Sequence, residues 1–263
     1  MTTSGRTGTL TWYTVGDESA RPLLMVHALG ADSEMWDAQL PQLSKTRRVV
    51  MVDLPGHGNS VAGPGPYTIR DLGEDVLDIA TTAGIHQFDL CGISLGGVIS
   101  LWMAAHAPDR VMSLVASNTA ARVGNEEIWQ ARIDAVTSGG MEAVSDQALG
   151  RFFTSSFASE QPDVFHHRSR ALLGTDPAGY AACCAALRDA DLREMVEAIR
   201  CPTLVIGGSD DISTPPDQSV WLHEHIPGST AHILAGAPHL ANLEQPQAWT
   251  DVVAGFLAGQ GAV

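Results

Sequence analysis

Positive charge is scarce in this chain. Lysine and arginine together number 15 against 30 aspartates and glutamates, a formal net charge of −15. Such a field repels phosphate backbones and anionic bilayers, so neither nucleic acid nor a membrane is an expected partner. It also sets a condition on any anionic substrate, which would need a local cation to overcome the general repulsion. Cysteine is sparse too. The four residues, Cys91, Cys183, Cys184 and Cys201, show no zinc-ligand spacing, and the neighbours Cys183 and Cys184 could pair only with strain. Buried reduced thiols are expected rather than disulfides. No apolar run approaches the ~20 residues of a membrane span. The N-terminal Met1-Thr2-Thr3-Ser4-Gly5-Arg6 lacks the apolar centre of a signal peptide. The expected location is therefore cytoplasmic. Internal repeats and low-complexity stretches are also missing.

What remains is an ordinary globular composition, 44% hydrophobic and 17% charged over 263 residues. That length suits one large domain that buries roughly three quarters of its unfolded surface. Short, nearly continuous apolar runs at 21–27, 48–53, 87–91, 111–117, 202–207 and 230–234 read as strands of a parallel sheet covered on both faces. Helical patterns lie between them. One starts at Thr68, with Asp71 in a capping-box position and Leu72, Val76 and Ile79 on one face. The alternation predicts an α/β fold. Residues 121–198 break it: no strand is evident, Ile128, Arg132 and Val136 recur at helical spacing, and Gly139-Gly140 and Gly174 punctuate the stretch. The expected organisation is a core of 1–120 and 199–263, with 121–198 as a helical cap over the C-terminal edge of the sheet.

Gly92-Ile93-Ser94-Leu95-Gly96 joins a strand to a helix, the context in which G-x-S-x-G reads as a nucleophile elbow. The serine there is held in a strained turn, and the flanking glycines let strand and helix pass closely. A serine hydroxyl attacks an acyl carbon only if a base takes its proton and a third group orients the base. His239, in the loop after the last predicted strand, stands where ligands gather in open α/β sheets. Two adjacent carboxylates, Asp210 and Asp211, follow the strand at 202–207; Asp211 is preferred for its spacing to Thr214-Pro215, with Asp210 the alternative. The oxyanion hole is assigned to the backbone N–H groups of Leu95 and Leu29. His27 is expected to support the oxyanion loop and His57 to shape the rim of the site. The pairs His166-His167 and His223/His225 lack a carboxylate at metal-binding spacing and read as exposed helix histidines.

With these residues named, the chain resembles the α/β-hydrolase superfamily throughout, and more narrowly the 3-oxoadipate enol-lactone hydrolases. The broad match rests on His27-Ala28-Leu29-Gly30, Met35-Trp36, the Asp53–Ser60 loop, the elbow and His239. The narrower match rests on Ser117-Asn118-Thr119-Ala120, Trp129 with Arg132-Ile133, Gly139-Gly140-Met141, the stretch 179–189 and the stretch 239–246. One departure is His27-Ala28, where that family often carries Ser or Asn. The resemblance implies a mostly parallel central sheet flanked by helices with a helical cap inserted between strands. It implies a small carboxylated lactone as substrate, opened to 3-oxoadipate during aromatic-acid catabolism, with no metal or organic cofactor. Trp129 and Arg132 share a helix face; if it looks toward Ser94, Arg132 would pair with the substrate carboxylate while Trp129 packs on the ring. Some relatives carry a fused decarboxylase domain, which is not expected here. Competing readings are a general carboxylesterase or perhydrolase on the same residues, and a ligand sensor without turnover.

Overall fold

The computed structural model describes residues 2–260. Among them, eight strands form one sheet in the order β1-β2-β4-β3-β5-β6-β7-β8. β1 (Thr3–Thr7) and β2 (Leu10–Val15) form an antiparallel hairpin, and β2 pairs antiparallel with β4. β3 (Pro22–Val26), β4 (Arg48–Val52), β5 (Phe88–Ile93), β6 (Val111–Ser117), β7 (Thr203–Gly208) and β8 (Thr230–Leu234) pair in parallel. The six parallel strands answer the six apolar runs. The hairpin was not anticipated: β1 is Thr-Ser-Gly-Arg-Thr, largely in solvent at a sheet edge, and carries no apolar run to reveal it. β5 also runs further than expected, taking in Gly92 and Ile93, so Cys91 lies within the strand.

Flanking helices cover both faces. They are the short α1 (Leu40–Leu43), α2 (Ile69–Thr82) and α3 (Leu95–His106). α2 starts at Thr68 with a complete capping box to Asp71, and buries Leu72, Val76 and Ile79. α3 is buried along most of its length, which explains its nearly unbroken apolar sequence. Between β6 and β7 the chain makes five α-helices, one short 3-10 turn at Val196–Ala198 and no strand: α4 (Glu126–Gly139), α5 (Glu142–Phe152), α6 (Phe157–Glu160), α7 (Pro162–Leu173) and α8 (Pro177–Asp189). The chain leaves and re-enters the core side by side, Leu192 N–H donating to the Ala121 carbonyl at 2.8 Å. The remaining helices, α9 (Pro216–His225), α10 (Ala241–Glu244) and α11 (Pro246–Gly259), follow β7 and β8.

Strand order reverses direction between β3 and β5, which are neighbours although β4 separates them in sequence. Their carboxyl ends sit side by side, Val26 opposite Gly92. Open α/β sheets form a crevice at such a point, and Ser94 and the 27–30 loop both emerge there.

Candidate active site

Ser94 is held at φ 56°, ψ −118°, a strained conformation for a residue with a side chain. The two elbow glycines make that turn possible for different reasons. A Cβ at Gly92 would lie 2.1 Å from the Gly96 carbonyl oxygen, and one at Gly96 would lie 2.1 Å from that of Val26. The elbow is pinned from β6 and the loop after it: Ser94 N–H donates to the Ser117 carbonyl at 3.1 Å, and the Thr119 hydroxyl donates to the Ser94 carbonyl at 2.8 Å.

Ser94 Oγ lies 2.8 Å from His239 Nε2. The opposite ring nitrogen, Nδ1, is 2.8 and 3.0 Å from the two oxygens of Asp211. Asp211 is buried and Asp210 is exposed, its Oδ1 accepting from the neighbouring Ser209 hydroxyl. The structure therefore brings Ser94, His239 and Asp211 together and leaves Asp210 outside. Burial works against ionisation of Asp211. The imidazole opposite, the Thr214 and Ser213 N–H groups, the Thr214 hydroxyl and the Asn118 amide outweigh it, and the carboxyl is held down at about 2. An ionised carboxylate there fixes the proton on Nδ1 and leaves Nε2 free to accept from the serine.

Leu29 lies in the loop after β3, and Leu95 directly follows the serine. Leu95 opens α3, where backbone N–H groups have no partner within the helix. The Leu29 N–H meets no acceptor among the described residues, whereas its neighbour Gly30 donates to His57 Nε2 at 3.0 Å. His57 is therefore not a rim residue. It is fully buried, its Nδ1–H donating to the Pro55 carbonyl, and it supports the turn at Gly30 from beneath. His27 does the same one step earlier, accepting from Leu54 N–H at 2.9 Å and donating to the Ala28 carbonyl. Burial pushes both imidazoles well below their usual range, so both are neutral. This histidine pair is how a loop with Ala28 is buttressed.

Above Ser94 lies a cavity of about 440 Å³ walled by α4, α5 and α8. Trp129 and Arg132 both line it. The face that α4 buries is Trp129, Arg132 and Val136; Ile128 is not on it but stands 46% exposed at the cavity mouth. Trp129 is committed more tightly than expected: its indole N–H donates to the Val123 carbonyl, and the Arg132 guanidinium lies 5.2 Å from its ring centre. The ring thus also serves as a platform for the arginine. α5 roofs His239, since Phe152 stacks near it with ring centres 6.4 Å apart and the Phe152 carbonyl accepts from Leu240 N–H.

A family model described as alpha/beta hydrolase fold matches residues 21–246. This chain belongs to the alpha/beta hydrolase fold family. The hydrolase is 36% identical to 3-oxoadipate enol-lactonase 2 of Acinetobacter baylyi, over 93% of this chain and 91% of that one. Among solved structures it is similar to the enol-lactonase from Burkholderia xenovorans, at TM-score 0.92 and 37% identity, covering 95% of this chain and 96% of the other. A thermophilic esterase from Thermogutta terrifontis, solved with malate bound, matches at TM-score 0.90 and 27% identity, covering 96% and 94%. The resemblance read from the motifs is thereby met, and the protein is an ester-hydrolysing enzyme.

Sequence reasoning singled out no role for Asn118. It sits just after β6 at φ 45°, buried, and its amide donates to Asp211 Oδ2 at 3.1 Å and to the Pro238 carbonyl at 3.2 Å. Its own Oδ1 accepts from the Ser117 hydroxyl, which accepts from the Trp249 indole. The left-handed backbone that Asn tolerates was the available signal. Arg151 was missed as well: nothing in its spacing ties it to Arg132, yet it lines the same cavity. The histidines at 166, 167 and 223 are exposed and His225 is half-buried, all on helices, and no metal-binding cluster occurs among the described residues. The four cysteines are free, with Cys91, Cys183 and Cys184 buried.

Proposed function

We propose that this hydrolase opens 3-oxoadipate enol-lactone to 3-oxoadipate in the cytoplasm, as a step of aromatic-acid catabolism by the β-ketoadipate pathway. His239 takes the proton of Ser94 as Oγ attacks the lactone carbonyl carbon. Asp211 orients the imidazole and offsets its charge, and the N–H groups of Leu29 and Leu95 receive the oxyanion. Collapse breaks the ring C–O bond, and the leaving enol oxygen takes the proton from His239. The enol tautomerises to the ketone, leaving an acyl-serine. Water then gives a proton to His239 as it attacks the acyl carbon, and the second carboxylate departs while Ser94 recovers its proton. Residues 121–198 act as the cap, bringing Arg132 to the carboxymethyl arm with Trp129 beneath it. Every group the reaction needs is a side chain or backbone N–H, with no metal or cofactor in the scheme.

The observation that carries this reading is the 2.8 Å contact of Ser94 Oγ with His239 Nε2, backed by Asp211, at the floor of a cavity that holds Arg132. The named relatives, two of them enol-lactonases, support the substrate. The test is a direct assay of enol-lactone hydrolysis beside a panel of neutral esters. Ser94→Ala should lower kcat by about 10⁴- to 10⁶-fold on every substrate that is turned over. Efficient cleavage of aryl acetates without turnover of the lactone would reassign the protein as a general carboxylesterase.

A further inference from the structure

The distribution of charge around the cavity is the reverse of that on the chain. Of the residues that line it, three are arginines, Arg122, Arg132 and Arg151, and none is acidic, although acids outnumber cations two to one in the sequence. Arg122 is exposed and reaches Asp191 at 3.3 Å, a carboxylate it shares with Arg193. Arg132 and Arg151 meet no carboxylate among the described residues. Arg132 is about nine-tenths buried; Gln147 takes one N–H at 3.1 Å, and its Nε is buried without an acceptor. Arg151 is half-buried, and burial together with the Arg132 charge weakens its hold on its proton. Tyr180, on α8, adds a buried hydroxyl beside them.

Two neighbouring guanidiniums with no acid between them repel each other, and each loses hydration. An unsatisfied buried cation is expensive unless an anion completes it. Ser94 and His239 line the same cavity. We infer that Arg151 is a second specificity residue, and that Arg132 and Arg151 together form a two-cation subsite for one end of a short α,ω-dicarboxylate, whose other carboxylate lies at Ser94. This rests on the proposed reaction only in locating the acyl end at Ser94. It extends that reaction by making the open-chain dicarboxylate class of its product a competitive ligand of the free enzyme.

The test uses the whole protein and needs no natural substrate. Hydrolysis of p-nitrophenyl acetate is measured with adipate, glutarate or hexanoate as inhibitor. Adipate should compete at least about tenfold more tightly than the monoanion hexanoate of equal carbon number, in line with hydrogen bonds to a charged group. Its inhibition constant should rise as salt is added. Arg151→Gln should weaken adipate about tenfold and narrow its advantage over hexanoate, while Arg151→Lys, which keeps the charge, should restore part of the loss. Equal inhibition by adipate and hexanoate in the wild-type enzyme, a result that no folding defect can produce, would overturn the inference. So would an Arg151→Gln enzyme, with an unchanged melting curve, that binds adipate as before. A lactone that is not turned over, alongside tight and Arg151-dependent adipate binding, would remove the proposed reaction and leave the subsite standing.

Discussion

At Asn118 one amide holds both the carboxylate of Asp211 and the carbonyl just before His239, and the rest of its side chain is anchored through Ser117 to Trp249. Its removal should therefore disturb the alignment of acid and base more than the binding of substrate. Asn118→Gly keeps the left-handed backbone available and deletes only the amide. The expected result is a kcat lower by about 10- to 100-fold, the value of a hydrogen bond to a charged group, with KM changed by less than about threefold. A raised KM at unchanged kcat would instead make Asn118 part of the substrate pocket. Arg132→Ala should show the opposite split, raising KM for an anionic lactone far more than for a neutral ester, and equal effects on both would remove the carboxylate role of Arg132. At this scale Ser94 and His239 were legible in sequence, because each lies in a local pattern that strand and turn chemistry demands. Between Asp210 and Asp211 the spacing to Thr214-Pro215 favoured Asp211 but left Asp210 open, since adjacent side chains on one turn point apart and the partner across the crevice separates them.

Among the elements, the elbow tolerates the least change. Gly96→Ala places a methyl group 2.1 Å from the Val26 carbonyl, backbone that cannot step aside without moving β3. Loss of more than about 3 kcal/mol, or failure to fold, is expected in a denaturant melt. α7 is fastened to the core by a different means. Arg168, nearly fully buried, reaches Asp32 at 2.6 Å and Glu34 at 3.2 Å, and His167 also meets Glu34 at 2.7 Å. Arg168→Met strips the mostly buried Asp32 of its counter-charge and should destabilise the protein by about 3 kcal/mol, the penalty for breaking a buried pair from one side. A shift below about 1 kcal/mol would mean that solvent already screens the pair. The parallel strands and α2 were predictable from runs and caps that are local in sequence. The β1–β2 hairpin was not, because its edge strand β1 lies largely in water and carries no apolar signature. The helical spacing of Ile128, Arg132 and Val136 showed that α4 is a helix, but which face it buries, Trp129, Arg132 and Val136, is set by packing against its neighbours, α8 above all.

For the whole molecule, acid is the expected weakness. His27 and His57 are buried neutral, so below about pH 6.5 the unfolded chain binds protons that the folded chain refuses, and stability falls as pH drops. Asp211 adds to the loss at lower pH. Its carboxyl sits at about 2 in the fold against 3.8 for the unperturbed group, so its contribution is complete above that ordinary value and disappears as pH falls toward the folded one. Melting temperatures should therefore decline between pH 6.5 and 5, and more gently in His57→Gln, which removes one of the two refused protons. An equal decline in both proteins would show that His57 titrates in the fold much as it does outside it.

Sequence alone determined that the chain alternates strand and helix, that it bends sharply around a serine at 94, and that a histidine follows its last strand. These follow from steric demands within a few residues of each site. Tertiary structure alone decided that Asn118 clamps both loops, that His57 lies beneath the 27–30 loop, and that Arg151 joins Arg132 in the cavity above the serine. Each of these is a meeting of elements far apart in the chain, set by sheet order and by how the helices between β6 and β7 fold back over the crevice, and no local pattern encodes that closure.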